Sequence, residues 1–173
     1  GKSAQLKKNP KKKYINPENI RKTKSDSASE PEPFIVRPTD KTNILVAIAE
    51  DDAISRRLLK VIFGKIPDVT LDLFSSGDEL IKKAATVNYD IIFTDMHMQG
   101  ITGCEVVKAL REKIGTTAPV IAMTGSSNDD TEFENEKAVR YFNEWLLKPV
   151  STNMIGDILK KYFLCEESEY ENK

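Results

Sequence analysis

From Asn43 onward, short apolar runs alternate with stretches whose apolar residues recur every three or four positions. Ile44-Leu45-Val46-Ala47-Ile48-Ala49 reads as a buried strand that stops at Glu50-Asp51-Asp52. Ile54, Leu58, Leu59, Ile62 and Phe63 then return at helical spacing. Val69–Phe74 alternates as a strand does, and Ser75-Ser76-Gly77 leads into a helix expected over 78–86. Asp90 opens a third strand, Ile91-Ile92-Phe93-Thr94, which ends at Asp95. A helix is expected near 103–113, and Pro119-Val120-Ile121-Ala122-Met123 then ends at Thr124. The segment 130–141 is helical in pattern, and Glu144–Leu147 is a short strand. Ser151 can cap a last helix running to Leu164. Strand and helix patterns taking turns predict an α/β fold, a parallel sheet covered by helices on both faces.

In such open sheets ligands bind at the carboxyl ends of the strands, which makes the strand-ending residues informative. The first strand ends at Glu50-Asp51, the third at Asp95, the fourth at Thr124 and the fifth at Lys148-Pro149. Three carboxylates gathered at one edge raise one another's pKa unless a cation sits among them. Hard oxygen donors with room for water suit Mg²⁺. Lys148 offers a point charge for a phosphoryl group, and Thr124 offers a hydroxyl donor. A carboxylate beside a divalent cation and a lysine can act as a nucleophile toward phosphorus. Helix capping would account for one of these acids, Asp51 or Asp52, but not for acids and a lysine at the ends of three strands.

Composition adds a division of the chain. Of its 173 residues, 26 are Lys or Arg and 27 are Asp or Glu, for a net charge of −1. Residues 1–42 hold 11 basic and 5 acidic side chains, against 15 and 22 in residues 43–173. The first segment also carries five of the eight prolines and the cluster Lys7, Lys8, Lys11, Lys12, Lys13. Its polar stretch 22–33 buries too little to repay ordering, so a solvated tail or linker is expected, with at most weak nucleic-acid binding or a nuclear signal. Gly1-Lys2-Ser3 lacks the upstream strand and glycine of a phosphate-binding loop. Cys104 and Cys165 have neither metal-ligand spacing nor the numbers for a disulfide framework. No apolar run reaches the roughly 18 residues of a membrane span. An intracellular, cytoplasmic location is expected, with the nucleus as an alternative.

The pieces ILVAIAEDDAISRR, IIFTDMHMQGITG, VIAMTG and WLLKP together make residues 43–165 resemble a response-regulator receiver domain of two-component and phosphorelay signalling. The resemblance implies a doubly wound, flavodoxin-like fold with a five-stranded parallel sheet in the order 2-1-3-4-5. It implies that Asp95 accepts a phosphoryl group, and that Glu50, Asp51 and Asp95 hold Mg²⁺ together with the backbone carbonyl of His97. Thr124 and Lys148 would contact the phosphoryl oxygens, and Trp145 matches an aromatic switch position. The implied donors are a histidine kinase or a histidine phosphotransfer protein, and self-association on phosphorylation is a further expectation. The acidic residues 166–173 form a C-terminal tail in this reading. The chain opens on Gly1 rather than Met, and we expect a fragment of a longer protein, with a hybrid histidine kinase as one candidate.

Three positions depart from the usual pattern: Gln99 where the family often has Pro, Thr102 where Asp often precedes the glycine, and Arg140-Tyr141 where a small Ala-Gly pair is common. The last puts the helix near 130–141 and its output surface in question. His97 is the sole histidine, and a lone imidazole makes a poor metal site, so its side chain is expected to flank the phosphoryl group or to have no role. Trp145 could equally be a packing residue of a short strand. Two other functions compete with the phosphoacceptor switch. One is a phosphatase with an aspartyl intermediate, although that enzyme type carries its nucleophile in a DxD motif after the first strand, where this chain has EDD. The other is a receiver-like binding module that is never phosphorylated.

Overall fold

The computed structural model describes residues 42–125 and 137–163. Five strands, β1 (Ile44–Ala49), β2 (Val69–Phe74), β3 (Ile91–Asp95), β4 (Val120–Thr124) and β5 (Glu144–Leu147), form one parallel sheet in the order 2-1-3-4-5. The helices are α1 (Ala53–Gly64), α2 (Gly77–Ala84), α3 (Gly103–Lys108) and α4 (Thr152–Phe163). This is the doubly wound arrangement that the sequence pattern and the family resemblance predict.

Alternation along each strand divides the core into two layers. Val46, Ile48, Ile91, Phe93, Ile121 and Met123 face α1 and α4, meeting Leu59, Phe63 and Ile155. Ala47, Ala49, Ile92, Val120 and Ala122 face the other way, toward Leu80, Val106 and Val107 of α2 and α3. Every residue of β3 and β4 is buried. Burial on both faces explains why these strands are continuous apolar runs rather than alternating ones. Phe93 meets Phe63 edge-on at 5.7 Å, and truncating such a buried ring costs about 3–5 kcal/mol. With both faces filled, polar groups on the central strands are confined to the strand ends.

The loops leading into the helices are fixed by caps. Asp52 accepts from the Ser55 amide at 2.7 Å, Ser76 caps α2, and Ser151 accepts from the Met154 amide at 3.2 Å. Thr102 makes a reciprocal capping box with Glu105. A threonine therefore serves as cap where the family often has Asp, since either side-chain oxygen can do it. Gly103 packs the start of α3 onto the end of β3. A Cβ there would lie 2.6 Å from the carbonyl oxygen of Asp95.

Two helical expectations are corrected. The helix expected over 103–113 is α-helical only to Lys108, and Ala109–Ile114 widens into a π-helix closed by Gly115 at φ 77°. The wider turn accompanies the burial of Arg111. Its guanidinium donates to the carbonyls of Thr116 (2.8 Å), Ala118 (2.7 Å) and Tyr141 (3.2 Å), and to Asn143 Oδ1 (2.8 Å). Asn143 Oδ1 in turn accepts from the Val120 amide at 2.9 Å. Of the helix expected over 130–141, residues 130–136 lie outside the described residues. Lys137–Tyr141 forms a 3₁₀ turn rather than an α-helix, its last carbonyl taken by Arg111.

Candidate functional site

The carboxyl edge of the sheet brings together the residues that end four strands. Glu50 follows β1 and is fully buried, Asp51 is half-buried, and Asp95 closes β3 at 6% exposure. One carboxylate oxygen from each of the three lies within 4.8 Å of the others. Lys148, just past β5, reaches across with its ammonium 2.5 Å from Glu50 Oε2 and 2.9 Å from Asp95 Oδ2. Its backbone amide donates to Thr124 O at 2.7 Å, which ties the end of β5 to the end of β4. The Lys148–Pro149 peptide is cis.

Thr124 is 2% exposed, and its hydroxyl has no hydrogen-bond partner among the described residues. A buried, unpaired hydroxyl costs about 1–3 kcal/mol, so its presence at this edge calls for an explanation in function. His97 is exposed, and its amide donates to Asp95 Oδ1 at 3.3 Å. Trp145 does not reach this cluster. It stands opposite Ala122 on β4, half-buried, with its ring edge-on to Phe142 at 5.1 Å.

The electrostatics favour a cation. Burial pushes the Glu50 carboxyl above its ordinary 4.5, helped by the Asp95 charge, and the hydrogen bond from Lys148 offsets only part of this. For Lys148 burial acts downward, but its hydrogen bonds to Glu50 and Asp95 outweigh that and hold the ammonium above 10.5. A single lysine thus balances carboxylates that repel each other. The donor set is compact and made only of oxygen, the chemistry that Mg²⁺ takes.

Two groups in the shell around these acids make contacts that the sequence does not announce. Arg56 of α1 donates through Nη1 to the carbonyls of Glu50 (2.9 Å) and Asp51 (2.7 Å). The backbone amide of Gln99 donates to Asp51 Oδ2 at 2.9 Å. The proline often found at this position in the family could not make that bond. Arg56 looks like any charged position on an amphipathic helix. Its one hint is that it lies a single turn after an acidic strand end.

Residues 46–160 match the response regulator receiver domain family. The chain belongs to that family. Among its relatives is the transcriptional regulatory protein ResD of Bacillus subtilis, 34% identical over 113 residues, which are 65% of this chain and 44% of ResD. The osmosensing histidine protein kinase SLN1 of Saccharomyces cerevisiae is 24% identical over 145 residues, 80% of this chain and 12% of the kinase. The chain therefore spans less than half the length of either relative. Among solved structures, the response regulator TrrA of Thermotoga maritima in complex with Mg²⁺ and BeF superposes with a TM-score of 0.60 at 25% identity, covering 69% of this chain and 99% of TrrA. The receiver domain described here is a module of two-component phosphorelay signalling, and Mg²⁺ is typical of its family. Among the described residues no helix is long and apolar enough to cross a membrane.

Proposed function

We propose that this receiver takes a phosphoryl group from a phosphohistidine onto Asp95. One observation carries the reading: Lys148 bridges Asp95 and Glu50 next to a buried hydroxyl, Thr124, that has no partner among the described residues. An Asp95 carboxylate oxygen attacks phosphorus, the bond from phosphorus to the donor imidazole breaks, and an acyl phosphate forms. Lys148 then exchanges the Asp95 oxygen for a phosphoryl oxygen, and the Thr124 hydroxyl donates to another. Mg²⁺, held by Glu50, Asp51, Asp95 and the carbonyl of His97, would neutralise charge on the phosphoryl oxygens when bound.

The donor is a histidine kinase or a histidine phosphotransfer protein in this proposal. Beside the acids, Ile54, Leu58 and Val61 form an apolar stripe on α1, 77%, 47% and 56% exposed. The exposed basic residues Arg57 and Lys60 flank it. A pocket of 310 Å³ lined by Ser55, Leu58, Lys148 and Pro149 continues the stripe toward the site. An apolar helix face with an acidic rim fits there and brings its phosphohistidine over Asp95. The phosphatase reading gains no support, because the third acid after β1, Asp52, is engaged as the α1 cap.

Trp145 and the 3₁₀ turn form the responding surface, which is remodelled for a partner or for self-association once Thr124 is drawn to the phosphoryl group. Residues 43–165 act as the receiver, with residues 1–42 as linker and 166–173 as tail, inside the cell where such donors work. Intact-mass analysis after incubation with acetyl phosphate and Mg²⁺ tests the acceptor. The wild type should gain one phosphoryl group and Asp95→Asn none, because an amide is a far poorer nucleophile. A gain that persists in Asp95→Asn overturns the assignment and makes Asp51 the next candidate.

A further inference from the structure

We infer that Arg56 is a positioning residue for the cation site, acting through the main chain of the two acids that follow β1. The inference rests on the reading of Glu50 and Asp51 as metal ligands. The Glu50 amide still donates to Phe74 O at 3.0 Å, the last rung between β1 and β2. Beyond it the chain leaves the sheet, and α1 begins only at Ala53. The carbonyls of Glu50 and Asp51 fall in that gap, where neither ladder nor helix supplies a donor. Arg56 supplies both from one nitrogen, at 2.9 and 2.7 Å. Its own amide donates to Asp52 O at 3.0 Å, so the side chain springs from the first turn of the helix that Asp52 caps. The link is rigid and local, and it fixes the two peptide planes from which the Glu50 and Asp51 side chains project.

Groups that orient metal ligands typically change affinity about 10–100-fold when removed. The sign separates this role from plain electrostatics. Arg56 is a cation beside a cation site, so on Coulomb repulsion alone its removal should tighten Mg²⁺ binding. Positioning predicts the reverse. A purely structural role in α1 would lower the unfolding midpoint and leave the affinity unchanged.

The test uses the full 173-residue chain and titrates Mg²⁺ alone, read by amide NMR shifts at Glu50 and Asp51. Arg56→Met should raise the dissociation constant about 10-fold, and Arg56→Lys, which restores a donor, should stay within about 3-fold of wild type. Urea unfolding checks that each variant is folded. In the wild type, the Arg56 guanidinium protons should be protected from solvent exchange, a readout that needs no variant. Unchanged or tighter binding by a folded Arg56→Met, or unprotected guanidinium protons, overturns the proposal. Asp51→Asn serves as the control. If it leaves binding intact, the cation site itself is misplaced and the role of Arg56 falls with it. If it abolishes binding while Arg56→Met does not weaken it, the role of Arg56 alone is refuted.

Discussion

Replacing Lys148 by Met keeps the length of the side chain and removes an ammonium that bridges Glu50 and Asp95. The carboxylates then lose their partner, and Glu50, fully buried, suffers most. Left ionised and unpaired, a buried acid destabilises by about 3–5 kcal/mol. Protonation sets a limit on that cost. Taking up a proton near pH 7 on a group whose ordinary pKa is 4.5 costs about 1.36 kcal/mol per pH unit, or about 3.4 kcal/mol in all. The expected loss from Glu50 near neutrality is therefore about 3 kcal/mol. Its pH dependence has a definite sign. With Lys148 gone, the folded pKa of Glu50 rises further above its unfolded value, so the native state binds the extra proton. Stability contributed by protonated Glu50 is fully present below 4.5 and is lost as pH rises through the folded pKa. Urea unfolding of both proteins at about pH 7 and about pH 5 should show the gap closing by about half or more at the lower value. Added Mg²⁺ should also narrow it near neutrality by replacing the missing charge. A gap of equal size at both pH values, indifferent to Mg²⁺, would mean that Lys148 contributes by packing and that the charge balance argued here is wrong.

Gly103→Ala should destabilise by about 1–3 kcal/mol in urea, because its Cβ meets the Asp95 carbonyl at 2.6 Å and cannot be relieved by a side-chain turn. An unchanged midpoint would show that α3 is not seated on the end of β3. Thr124→Ala removes a hydroxyl that has no partner among the described residues. It should leave stability within about 1 kcal/mol or raise it slightly, keep Asp95 open to phosphorylation, and abolish the NMR response around Trp145 and Phe142 to a beryllium fluoride mimic. A full response at Trp145 in this variant would remove Thr124 from the switch.

The sheet and the edge were legible because each central strand is an uninterrupted apolar run that stops at a polar residue. Ala49-Glu50 and Thr94-Asp95 mark the ends as clearly in the sequence as in three dimensions, and parallel topology then gathers them. The π-helical widening after Lys108 was not legible. Ala109–Ile114 has ordinary helical spacing, and what accompanies the change is the reach of Arg111 to carbonyls five, seven and thirty residues away. The 3₁₀ form of Lys137–Tyr141 escaped for the same reason. Arg56 and the Gln99 amide were hidden because their contacts go to or from the main chain, where residue type leaves little trace. Thr102 was readable as a departure from the family, but its role as an equivalent cap needed the observed geometry.

The Arg111 network bears on how Lys148 comes to its place. Its guanidinium pins the Tyr141 carbonyl and Asn143, and Asn143 pins Val120, so the starts of β4 and β5 are stapled to each other and to the helix before them. At the other end of the same strand pair, the Lys148 amide bonds to the Thr124 carbonyl. β5 is thus clamped at both ends, and an arginine at the amino edge of the sheet helps to set the register that delivers the lysine to Glu50 and Asp95 at the carboxyl edge.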